Sequence, residues 1–110
     1  MRILVCGGRN YIDQAKVSSV LQEHGPTSII HGNAKGADDL ADNWAKANHI
    51  PVIPFPADWG KYGKAAGPIR NKQMLDEGKP DLILAFPGGK GTANMKEQAR
   101  IAGIEVLDVF

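Results

Sequence analysis

A chain of 110 residues is long enough to bury one core but not to house a separate substrate domain, so residues 1–110 are expected to act as a single domain. Thirteen Lys and Arg against twelve Asp and Glu leave a formal charge of +1. That balance excludes a global field recruiting duplex nucleic acid or an anionic membrane, and any anion site must be local. No apolar run approaches the roughly 20 residues of a membrane span, and MRILVCGGRN is too short and too broken by Gly-Gly to be a signal peptide, so a cytoplasmic protein is expected.

The first element is the apolar run ILVC (3–6), patterned as a strand buried on both faces. Its Cys6 has no partner for an internal disulfide and reads as a small packing residue. Val17, Val20, Leu21 and His24 then share one helical face. TSIIH (27–31) repeats the strand signal, and Ala37, Leu40, Ala41, Trp44 and Asn48 mark a second helix. After the strand PVIPF (51–55), residues 56–74 form the longest irregular stretch. A third helix is expected from 68 to about 78, with Pro at its first turn and Gly at its end. DLILAF (81–86) is the fourth strand, residues 92 to about 102 the fourth helix, and IEVLDV (104–109) the fifth strand. This βαβαβαβαβ order predicts a Rossmann-like, doubly wound, mostly parallel five-stranded sheet with helices on both faces.

Ligands of such sheets bind outside the carboxyl ends of the strands, at the switch in strand order. The loops at those ends are GGRNY, GNAKGADD and PGGKGT, whereas the returns EHGPT, ANHIP, EGKPD and AGIE hold one glycine at most. Glycine and cation therefore concentrate on one rim: Gly7, Gly8 and Arg9; Gly32, Lys35 and Gly36; and Pro87, Gly88, Gly89, Lys90, Gly91 and Thr92. Arg70 and Asn71 join them from the third helix. Converging backbone N–H groups, with Thr92 at the expected N-cap, suit an anion such as phosphate. A Pro-Gly turn capped by threonine is the plainer account of that one loop.

Two familiar phosphate motifs are absent. No Gly-Lys is followed by Ser or Thr as a Walker A loop requires, and Gly7-Gly8-Arg9 does not continue into a dinucleotide fingerprint. Trp59 and Tyr62, and less so Tyr11, offer either stacking surfaces for a base or plugs over the core edge. Asp38 and Asp39 suit the dipole of the second helix, and Asp38 is also placed to hold a ribose hydroxyl or to orient Arg9. His24, His31 and His49 are too scattered for a metal site of known spacing, His31 reads as a satisfied core-edge residue, and no serine sits in a nucleophile elbow. No metal or cofactor is called for, and no catalytic residue is assigned.

PGGKGT, with GPIRNKQM before it and GGRNY and HGNAKGAD earlier, resembles the SLOG superfamily, and within it the YspA, cpYpsA-related SLOG family of bacteria and phages. The resemblance spans nearly the whole chain. It implies a Rossmann-like domain binding a nucleotide or nucleotide-derived ligand, often as a sensor or effector. The enzyme branch, the LOG phosphoribohydrolases, is similar at P-G-G-x-G-T-x-x-E and at an Arg-Lys pair. Pro87, Gly88, Gly89, Gly91, Thr92 and Arg70 match that pattern, but Met95 stands where the branch has its catalytic Glu and Asn71 where Lys is usual. An oxocarbenium-like transition state needs a nearby anion or base, which Met95 is not. Met95 also lies on the stripe Met95, Gln98, Ala99 and Ala102, which suits helix packing.

The leading expectation is a module that binds a nucleotide-like small molecule without turnover, either as a monomer or as a homo-oligomer. The alternatives are a nucleotide N-glycosidic hydrolase using Asp38 or Asp58 in place of the missing Glu, and a partner-binding domain with a vestigial pocket.

Overall fold

The structure, a computed structural model, describes residues 1–110. Five strands form one sheet: β1 (Arg2–Cys6), β2 (Ser28–His31), β3 (Val52–Pro54), β4 (Leu82–Ala85) and β5 (Val106–Asp108). Their order is β3-β2-β1-β4-β5 and every pairing is parallel, with Leu4 opposite Ile30 on one side and Ile83 on the other. The continuous apolar runs have their cause here. β1 and β4 lie inside the sheet, and Ile3, Leu4, Val5, Ile83 and Leu84 have no exposed surface.

Alternate residues of these strands feed two cores. Ile3, Val5, Ile29, Leu82 and Leu84 pack under α1 (Gln14–His24) and α2 (Ala37–Ala47), which supply Val17, Leu21, Ala41 and Trp44. Leu4, Cys6, Ile30 and Ile83 pack under α4 (Ala66–Asp76) and α5 (Lys90–Ile101), which supply Met74, Leu75, Met95 and Ala99. Two helices on each face complete the doubly wound arrangement. No helix is long and apolar enough to cross a membrane.

Three local readings differ from the sequence expectation. Residues 56–74 are largely helical: α3 (Trp59–Tyr62) is capped by the Asp58 carboxylate accepting the Lys61 N–H, and a 3₁₀ turn (Gly63–Ala65) runs straight into α4. Pro68 falls in the first turn of α4, where its missing N–H costs nothing. α5 begins at Lys90, two residues earlier than expected, with Gly89 as its N-cap and Thr92 inside the first turn. Its buried face is Thr92, Met95 and Ala99, while Ala102 is exposed.

The switch in strand order falls between β1 and β4, and there three loops meet backbone to backbone. The Gly8 N–H donates to the Pro87 carbonyl at 2.9 Å, and the Ala37 N–H donates to the Gly8 carbonyl at 3.2 Å. A Cβ on Gly36 would lie 2.0 Å from the Gly8 oxygen, and Gly36 has φ +80°, where other residues are strained. A Cβ on Gly88 would lie 2.2 Å from Thr92 Oγ1 and 2.7 Å from the Gly8 nitrogen. Gly36→Ala and Gly88→Ala are therefore expected to destabilise the fold by about 1–3 kcal/mol each, the usual cost of overpacking. Gly89→Ala, whose Cβ meets nothing within 4 Å, should cost less, about 0.5–1 kcal/mol, from the preference of the N-cap for glycine over alanine alone. Urea unfolding of the three variants checks the ranking, and equal midpoints would contradict it.

Candidate functional site

Above the switch point the loops and the first turns of α2, α4 and α5 enclose a cavity of about 870 Å³. Of the residues singled out in the sequence, Gly7, Gly8, Arg9, Gly32, Lys35, Asp38, Trp59, Arg70, Asn71, Gly89, Lys90, Gly91 and Thr92 line it. Gly36, Pro87 and Gly88 do not; they lie behind the wall, holding the loops together. Tyr11 packs against Phe86 with ring centroids 5.5 Å apart, a core contact rather than a cavity surface. Tyr62 lines a separate recess of about 220 Å³, with its ring beside the Lys61 ammonium. Trp59 stands half-exposed at the mouth, and the Arg9 guanidinium lies 5.8 Å from a Trp59 ring centroid, a cation–π distance.

The charge of the lining is one-sided. Arg9, Lys35, Lys64, Arg70 and Lys90 face a single carboxylate, Asp38. The chain's ion pairs are His31–Asp42, Lys46–Asp42, Lys72–Asp76, Lys96–Asp108 and Arg100–Glu97, so none of the five cavity cations has a carboxylate partner. The first turn of α5 opens on the same space. No side chain caps it, and neither Gly89 nor Gly91 would bring a Cβ within 4 Å of any neighbour. Its leading N–H groups and the positive end of its dipole are available to an anion.

Arg70 is aimed rather than free. Its Nη1 donates to the Gly32 carbonyl at 2.5 Å and its Nε to Asn71 Oδ1 at 3.0 Å. Asn71, 3 % exposed, donates in turn through Nδ2 to Asn94 Oδ1 at 3.1 Å and to the Gly91 carbonyl at 3.3 Å, and Gln98 Nε2 donates to Asn94 Oδ1 at 2.8 Å. An amide can accept from Arg70 and donate to α5 at once; an ammonium, with no acceptor, cannot. This chain from α4 to α5 was not foreseen, nor was Lys64 as a lining cation. Asn71 is expected from the sequence as a rim residue beside Arg70, but its partners Asn94 and Gln98 carry no sequence signal beyond their spacing of four on one helix face.

Asp38 is 6 % exposed, and its Oδ2 accepts the N–H groups of Gly32 at 3.0 Å and Ala34 at 3.3 Å, which shapes the second loop. Both bonds fall on one oxygen, leaving Oδ1 as the acidic acceptor of the cavity. Behind that loop His31 is fully satisfied: Nδ1 accepts the Asn33 N–H at 2.9 Å and Nε2 donates to Asp42 at 2.8 Å. Burial, with Asp38 adding, pushes the Cys6 thiol up to about 12, so it stays protonated and acts as packing.

Against this geometry the sequence comparisons are specific. The profile of the YspA, cpYpsA-related SLOG family matches residues 1–62, more than half of the chain. The chain belongs to this family. Membership goes with nucleotide-related ligand binding at a coarse level. The chain is 38 % identical to the Gene 61 protein of Mycobacterium phage D29, across 97 % of its own length and 94 % of that protein's. Among solved structures, DNA processing protein A (DprA) of Streptococcus pneumoniae has the same fold, with a TM-score of 0.79 at 20 % identity over 97 % of this chain. Acinetobacter baumannii MurG superposes with a TM-score of 0.54 at 21 % identity over the same share. The chain spans about half of that DprA chain, 49 %, and 33 % of the MurG chain.

Burial raises the Asp38 carboxyl above its usual value of 3.8, against the opposing pull of His31, the two backbone N–H groups and Arg70. A carboxyl raised on folding binds more protons folded than unfolded in the interval between its two values, so it subtracts stability as pH rises through that interval. Asp38→Asn, which keeps an oxygen for both backbone bonds, is therefore expected to melt higher than the parent at pH 7, with the gap closing as pH falls toward 3.8. Thermal melts at neutral and acidic pH test the sign, and a variant less stable at pH 7 would reverse it.

Proposed function

We propose that this protein binds a nucleotide or nucleotide-derived small molecule in the cavity, with a phosphate on the first turn of α5 at residues 89–92, and that it does so without hydrolysing the ligand. The observation that carries the reading is the five-cation lining with no carboxylate partners, in a chain whose net charge is only +1. Cations gathered without counter-charges repel one another unless an anion joins them. Gly89 and Gly91 leave the approach to the helix terminus open, and family membership favours a nucleotide-related ligand. Asp38 Oδ1 supplies an acceptor for a hydroxyl of the ligand, and Trp59 a surface at the mouth for a base or ribose. In this role the protein is a sensor, effector or sequestering module.

The absence of turnover rests on position 95. Met95 lines the cavity but is 1 % exposed and packs with Leu4, Cys6 and Ile83. A thioether there neither carries charge nor takes a proton. Positioned acid–base groups contribute about 10²–10⁴-fold, so base release from nucleoside monophosphates should run near the uncatalysed rate. Chromatography for free base after incubation with a nucleotide panel reads this. Multiple-turnover release abolished by Asp38→Asn, the one carboxylate lining the cavity, would replace the binding reading with a hydrolase.

Binding itself is read by native mass spectrometry of the protein purified from cells, where a co-purified nucleotide is expected, and by calorimetry. Gly89→Val places a branched side chain in the open approach to α5 and should weaken nucleotide affinity at least about tenfold, roughly 1.4 kcal/mol. Unchanged affinity in a folded variant would remove the phosphate from this helix terminus.

A further inference from the structure

The five cations are not gathered at one point. Lys90 stands at the first turn of α5, beyond the end of β4. Arg70 is tied to the Gly32 carbonyl beyond the end of β2, and Arg9 leaves the end of β1 and leans toward Trp59. β2 and β4 flank β1, so their ends are two strand spacings, about 10 Å, apart. A single phosphate on α5 therefore leaves the Arg9–Arg70 side of the cavity unneutralised.

We infer that the ligand carries two phosphate groups, one on the first turn of α5 and the second between Arg9 and Arg70. The inference rests on the nucleotide reading above and narrows it to a class. Charge supports it first. Five lining cations and one carboxylate leave four positive charges, and a phosphate monoester carries about 1.5–2 negative charges at neutral pH, so two such groups balance the lining where one does not. Preorganisation supports it second. Arg70 has its guanidinium fixed by Gly32 and Asn71, which leaves the rest of its fork directed at the cavity, and a fixed fork suits phosphate oxygens. Burial lowers the affinity of that guanidinium for its proton; Asp38 opposes this, and the like charge of Arg9 adds to it. Asp38 spends one oxygen on the Gly32 and Ala34 N–H groups and forms no ion pair with either guanidinium, so an anion shared between them relieves their repulsion. Size permits it, because about 870 Å³ lies within the range of sites that take whole small molecules.

Two ligand chemistries carry two phosphates: a 3′,5′-bisphosphate, whose groups sit at opposite edges of the ribose and match separated positions directly, and a diphosphate, whose adjacent groups reach both only where the Arg9 and Arg70 side chains turn in toward α5. Calorimetry of the full chain at one fixed salt concentration separates them, using AMP, ADP and adenosine 3′,5′-bisphosphate with their guanine counterparts. At least one two-phosphate nucleotide is expected to bind tenfold or more tightly than the matching monophosphate, and the stronger of the two identifies the arrangement. Arg9 is exposed, so Arg9→Ala should leave the thermal melt in place while reducing that ratio to within about twofold. Equal affinity for one and two phosphates would overturn the inference and leave the nucleotide reading standing. A ratio that survives Arg9→Ala would overturn the placement of the second group. No binding of any of the six would overturn the nucleotide reading and this inference with it.

Discussion

The contact on which the rest of this structure depends is the close approach of three backbone loops at the switch point. The Gly8 carbonyl receives the Ala37 N–H while the Gly8 N–H reaches the Pro87 carbonyl, so the ends of β1 and β4 and the start of α2 are tied through one residue. Side chains at positions 36 or 88 would fill the space that makes this possible. Because the loops share backbone bonds, the starts of α2 and α5 are fixed relative to each other. The cavity between them is thereby preformed.

That contact also divides the glycines of the rim by cause. Gly7, Gly8, Gly36 and Gly88 have neighbours within 3.1 Å of where a Cβ would be, so packing of the protein against itself accounts for them. Gly89 and Gly91 have nothing within 4 Å, and protein packing gives no account of them. A glycine-rich loop such as PGGKGT is thus two devices in sequence. Its first glycine closes the wall, and the later two keep the approach to a helix terminus clear.

Much of the fold was legible in the chain because a parallel sheet covered on both faces leaves a direct trace. ILVC, TSIIH and DLILAF are continuous apolar runs, and all three hold the centre of the sheet. The rim was legible too, since glycine and cation fall after the strands and not before them. What escaped depended on tertiary context. Trp59 and Tyr62, among three glycines, look irregular until Asp58 caps a turn and the following 3₁₀ segment joins it to α4. Thr92 looks like a cap because threonine favours that position, but the helix is capped three residues earlier, at Gly89, and Thr92 is buried in its first turn. The Arg70–Asn71–Asn94–Gln98 chain joins two helices about 20 residues apart in sequence, and no local pattern records such a pairing. Tyr11 and Tyr62 were set beside Trp59 by residue type alone, and geometry separates them.

The two departures from the phosphoribohydrolase pattern meet at one seam. Asn71 and Met95 both line the cavity where α4 meets α5, and they are 3 % and 1 % exposed. A buried carboxylate and a buried ammonium at these positions would each need the other nearby or a dense set of hydrogen bonds, since removing one partner strands an uncompensated charge. Replacing both with neutral groups avoids that cost. The exchange alters more than stability. Asn71, unlike lysine, accepts a bond from Arg70, so the guanidinium is held by its neighbour and turned toward Gly32 and the cavity. The seam is thus a neutral network that fixes the Arg70 guanidinium beside the Gly32 carbonyl.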